Sequence, residues 1–151
     1  MNMDGQIRVK TDARYKELYN NMKNSFVVGD FHELFFVCAC IGYRRKKRKK
    51  IARGDDRFWS RTITPSEWGC YYAMLLEDNN YDFSIIMEDK KVLGVIEEYA
   101  NSGMEILIDD FLDNYLLPGS KEKEPQLDPT CSKTLPKDFL FYILEQSEVG
   151  S

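Results

Sequence analysis

The sequence predicts a mainly α fold, with a short N-terminal strand followed by a compact multi-helix domain. Three observations lead there. Apolar residues recur at helical spacing along most of the chain, and two of those stretches open with a capping box. Strict polar/apolar alternation occurs once, near the N-terminus. At 151 residues, with 43% hydrophobic and 30% charged side chains, the chain suits one soluble globular domain.

The elements follow in order. Gln6 to Thr11 alternates, with Ile7 and Val9 on one face and Gln6, Arg8 and Lys10 on the other, as in a half-buried strand. Asp12 caps a helix of about a dozen residues, in which Tyr15, Leu18, Tyr19 and Met22 share a face. Asn24 to Gly29 reads as a loop. Asp30 and Glu33 form a capping-box pattern that opens the apolar helix FHELFFVCACIGY, which should be the core. Arg44 to Lys50 is seven consecutive cations, expected in water as a loop or frayed helix end. Asp55 to Trp59 reads as irregular.

Thr64-Pro65-Ser66-Glu67 starts a helix that runs to about Asp78. Phe83 to Met87 is ambiguous between strand and buried helix. Glu88 to Ser102 is a helix, with Gly103 as its left-handed C-terminal residue. Met104 to Leu117 is another, with Met104, Leu107, Ile108, Phe111, Leu112 and Tyr115 inward. Pro118-Gly119 stops it. A last short helix covers Leu135 to Gln146. The chain thus divides into a helical domain over 1–117, a linker or surface loop over 118–136, and a C-terminal helix and tail over 137–151.

Charge is distributed unevenly. Residues 1–62 hold 15 Lys/Arg against 7 Asp/Glu, and residues 63–151 hold 6 against 18. One end is expected to meet a polyanion, or the two halves to fold together and neutralise each other. The longest uncharged apolar run, Leu34 to Gly42, is about half a membrane span, so no membrane contact is expected. The opening MNMDGQIRVK shows no apolar stretch of the secretory kind, so the chain is expected in the cytoplasm.

Few features carry chemistry. Cys38, Cys40, Cys70 and Cys131 have no metal-ligand spacing, and His32 is the only histidine, so neither a metal nor a cofactor is implied. His32, among Phe residues, reads as a satisfied core histidine. Asp82, Glu88 and Lys90 weakly match the pattern of Mg²⁺-dependent nucleases. Arg44, Arg45, Lys46, Lys47, Arg48, Lys49 and Lys50 are the strongest local signal. Such density attracts phosphates without sequence preference. A docking patch for an acidic partner and an idle solvated loop are the competing readings.

The strand-helix-helix opening resembles ribbon-helix-helix DNA-binding proteins. There, two chains pair their strands and outward side chains enter the major groove, a role that would fall to Gln6, Arg8 and Lys10. That resemblance implies a homodimer and a transcriptional regulator. A plain core strand is the alternative.

Over residues 7–117 a second resemblance is broader. Ala39-Cys40-Ile41-Gly42-Tyr43 with its basic tail, Glu97-Glu98-Tyr99-Ala100-Asn101-Ser102-Gly103 and the opening IRVKTDARYKELY carry it. The chain resembles small proteins encoded beside bacterial DNA-phosphorothioation (Dnd) modification and restriction genes, of the phosphorothioation-associated protein 4 type. That resemblance implies a non-enzymatic accessory role in phage defence, with DNA and the protein subunits of a defence or modification complex as partners. It carries over no catalytic residue.

Overall fold

The computed structural model describes residues 7–86, 88–131 and 133–149. Strand β1 (Arg8–Asp12) leads through a 3₁₀ turn into helix α1 (Lys16–Asn24). Helix α2 (Phe31–Arg44), strand β2 (Gly54–Trp59) and helix α3 (Pro65–Asp78) follow. Helix α4 (Asp89–Asp110) and helix α5 (Leu135–Val149) complete the fold, which is mainly α as expected.

Local chemistry explains most boundaries. Asp12 accepts from the Arg14 amide and starts the turn before α1, whose Leu18, Tyr19 and Met22 are buried. Both capping boxes are formed: Asp30 with Glu33 opens α2, and Thr64 with Glu67 opens α3 behind Pro65. Of the ambiguous segment Phe83 to Met87, residues 83–86 form a 3₁₀ turn, and Met87 lies outside the described residues.

Three expectations are corrected. Residues 54–59 are a strand, where the sequence predicts an irregular stretch. β2 pairs antiparallel with β1, with Val9 opposite Phe58 and Lys10 opposite Asp56. The register skips Arg57, a bulge that turns this residue into the interior. There its guanidinium donates to Thr11 and Asp55 and lies over the Tyr19 ring.

Gly103 does not end a helix. α4 runs through it for 22 residues, because Gly103 is where α4 touches α2. A Cβ on Gly103 would lie 1.7 Å from the Cys38 carbonyl oxygen, and one on Gly42 would lie 2.0 Å from the Tyr99 carbonyl oxygen. Backbone meets backbone at this crossing, and each glycine is required by the other helix.

The expected helix from Met104 to Leu117 breaks at Phe111, and 112–115 form a 3₁₀ turn. Phe111 is half-buried and stacks on Tyr142 of α5, with ring centroids 5.0 Å apart.

Residues 118–131 pack on the body as a surface loop. Leu127 is buried and bridges Leu116, its amide donates to Asn21, and Arg14 donates to the Lys121 carbonyl. α5 buries Leu135, Phe139 and Tyr142 in the common core. Among the described residues no helix is long and apolar enough to cross a membrane.

Three substitutions test this account. Gly103→Ala is expected to cost about 3 kcal/mol or more, beyond the usual penalty of an overfilled core, because backbone must move. Gly94→Ala on the same helix meets nothing within 4 Å and should stabilise by up to about 1 kcal/mol from helix propensity. Chemical denaturation of the pair measures both. Phe111→Ala should cost about 2–3 kcal/mol, less than a fully buried phenylalanine. It should raise amide exchange in α5 first, and unchanged α5 protection would contradict the stacking role.

Candidate nucleic-acid interface

The basic run is an ordered ridge rather than a frayed end. α2 closes with the Lys46 amide donating to the Tyr43 carbonyl and the Lys47 amide to the Gly42 carbonyl. Lys46 takes the left-handed conformation, φ 53°, that usually belongs to glycine in this terminator. The chain then runs along α4. Ser102 Oγ donates to the Lys47 carbonyl, and Asn101 Nδ2 donates to the carbonyls of Lys49 (3.1 Å) and Lys50 (3.2 Å). The Lys49 amide donates to the Glu98 carbonyl. Asp12, itself buried, accepts from Ala52 and hands the chain to β2.

The side chains meet carboxylates. Arg45 lies 2.8 Å from Asp110, Lys46 3.4 Å from Glu77, Arg48 3.1 Å from Glu98 and Lys49 2.5 Å from Glu105. Tyr43 and Tyr99 donate to Glu77 and Asp78 and lie beneath Lys46 and Arg48. Burial and Asp78 push the Tyr99 hydroxyl pKa well up. All seven cations are exposed, and Lys47 and Lys50 make no ion pair with a described carboxylate. The expectation that the two charged halves neutralise each other is met along this ridge.

The strand candidates lie apart from it in role. Lys10 Nζ is 2.6 Å from Asp56, and the Arg8 guanidinium is 3.5 Å from the same carboxylate and 4.5 Å from the Trp59 ring. Lys10 holds the Asp56 carboxyl below its ordinary range. The Lys10 backbone amide donates to Glu97 at 2.8 Å, so one edge of β1 is closed by α4 and the other by β2. The strand that a ribbon-helix-helix dimer would share with a second copy is paired within the chain. Gln6 lies outside the described residues.

Other candidates separate. His32 Nδ1 lies 3.0 Å from Glu67 Oε1, a satisfied and largely buried pair linking α2 to α3. Asp82 accepts from Ser84, Glu88 pairs with Lys91, and Lys90 is exposed. Among the described residues no three His, Cys, Asp or Glu side chains could hold a metal together. Cys38 is buried against Met104, and burial pushes the Cys40 thiol up to about 12, so neither is a ready nucleophile. Cys70, by contrast, is exposed.

Asn101 and Ser102, which hold the ridge, escape a reading of the sequence. Beyond their place in the 97–103 motif, their signal is polarity at positions that α4 buries, 7% and 4% exposed. Exposed Arg53, and Arg61 beside Trp59, escape it likewise. No protein-family model, curated protein or solved structure matches this chain.

Asn101→Ala should cost about 1–2 kcal/mol, because it removes two hydrogen bonds from a buried donor. The Lys49 amide should lose hydrogen-exchange protection while the α2 interior keeps its own. Unchanged Lys49 protection would mean that the ion pairs, not Asn101, hold the ridge.

Proposed function

We propose that this protein is a non-enzymatic accessory subunit that contacts the phosphate backbone of DNA through Arg44–Lys50. The observation that carries the reading is how the ridge is held. Its backbone is tied to α4 by neutral hydrogen bonds from Asn101 and Ser102, so the cations stand in an ordered, exposed row. Ordered cations lose less freedom when they meet phosphates than a floppy tail would.

The carboxylates beside the ridge limit this contact without abolishing it. The four paired cations keep 43–60% of their side-chain surface in water. Exposed pairs of that kind are worth about 0–1 kcal/mol each, so a phosphate can replace a carboxylate. Lys47 and Lys50 need no exchange at all. Contacts of this type read charge rather than bases, so sequence preference should be small. Arg8 and Lys10, shared with Asp56, are the weaker contributors. The resemblance to phosphorothioation-associated proteins supports a setting in bacterial DNA modification or phage defence, with subunits of that system as protein partners.

Titration of random duplex DNA at several salt concentrations tests the reading. Lys47→Gln with Lys50→Gln should make the log–log salt slope shallower by about 1.8, since each phosphate that a cation neutralises on duplex DNA adds about 0.9 to it. Stability should stay within about 0.5 kcal/mol, as for other surface changes. Wild-type protein showing no salt-dependent binding would end the DNA assignment and leave the ridge as an internal brace.

A further inference from the structure

Independently of any DNA contact, we infer that the outer face of α5 is a self-association surface. On it a second copy of this chain packs its own α5 antiparallel, about a two-fold axis at Phe141. Lys137, Leu140, Phe141, Leu144 and Glu145 fall at i, i+3, i+4, i+7 and i+8, which is one helical stripe. All five are exposed, Leu140 by 58%, Phe141 by 54% and Leu144 by 51%. Leu135, Phe139 and Tyr142 turn the other way and are buried. Scattered exposed apolar residues are ordinary, but three adjoining ones on one stripe form a patch.

The charges at its two ends say what covers it. Lys137 stands four residues before Phe141 and Glu145 four residues after, and neither makes an ion pair with a described residue. Lys137 instead rests 5.9 Å from the Phe141 ring. Within one helix this order is unfavourable, because a cation sits near the N-terminus and an anion near the C-terminus. In an antiparallel pair centred on Phe141 the order becomes complementary. Each Lys137 and each Glu145 lies about 6 Å along the helix from the axis, so Lys137 meets the partner's Glu145 twice over. Such self-complementarity is what a two-fold interface requires. A parallel pair would set Lys137 against its own copy.

Beside the stripe, a groove of about 320 Å³ runs between Val27 and Val28 of the α1–α2 loop and Pro136 and Ile143 of α5. It gives the interface breadth beyond a single helix pair.

Sedimentation equilibrium over a range of protein concentration tests the inference, with circular dichroism confirming that each surface variant folds. Wild-type mass should rise from 17.7 kDa towards twice that value. Lys137→Glu and Glu145→Lys should each weaken association about tenfold, since two pairs become repulsive at once. The double variant should recover most of the loss. A wild type that stays monomeric at every concentration overturns the inference. So does association indifferent to both single reversals, or a double variant no better than the singles.

Discussion

Where α2 crosses α4, two glycines let the backbones touch, and most of the molecule is arranged around that contact. Gly42 faces the Tyr99 carbonyl and Gly103 faces the Cys38 carbonyl, with no room for a methyl group at either place. Helices meeting through larger side chains stay about 8–10 Å apart. Here the approach brings the end of α2 directly onto the polar side chains of α4. The chain leaving α2 after Arg44 therefore falls within reach of Asn101 and Ser102, which neighbour Gly103. Moving the helices apart by the width of a methyl group would strand the Asn101 donor and leave Ser102 Oγ only the Tyr99 carbonyl of its own helix. Placement of the cations is thus a consequence of glycine packing.

The same geometry explains why a run of seven like charges is tolerated. Such a run repels itself, and no interior could hold it. Here it is laid along helices supplying Glu77, Asp78, Glu98, Glu105 and Asp110, carboxylates from the acidic half of the chain. The imbalance between the two halves of the sequence is therefore partly an internal complementarity. Within the run, what remains of it lies at Lys47 and Lys50.

What could be read from the sequence was what depends on neighbours along the chain. The Asp30–Glu33 and Thr64–Glu67 boxes, the alternation around Val9 and the stripe of α1 each involve residues within a turn or two, and each is found as expected. What escaped depends on distant partners. β2 exists because β1 pairs with it, and its bulge at Arg57 breaks the two-residue period that marks a strand. Gly103 carries the local signature of a helix end, but a close approach by α2 overrides it, and nothing near Gly103 in sequence announces Gly42. The two motifs behind the phosphorothioation-protein resemblance, 39–43 with its basic tail and 97–103, prove to be each other's packing partners. A resemblance carried by both therefore tracks this crossing at least as closely as any ligand.

Whether the ridge is a brace or a binding surface turns on which forces hold it. Had the ion pairs been the anchors, recruiting Arg45, Arg48 or Lys49 to a phosphate would loosen the ridge and oppose binding. The anchors are instead neutral: buried Asn101 and Ser102 hold backbone carbonyls, and the Lys49 amide holds the Glu98 carbonyl. Each such bond contributes about 0.5–1.5 kcal/mol and involves no charged side chain. The exposed pairs contribute about 0–1 kcal/mol each and weaken as salt rises. Backbone position and side-chain partner are therefore set by separate interactions. Under the proposed reading, a phosphate that displaced a carboxylate would leave the segment carrying the cations where α4 has fixed it.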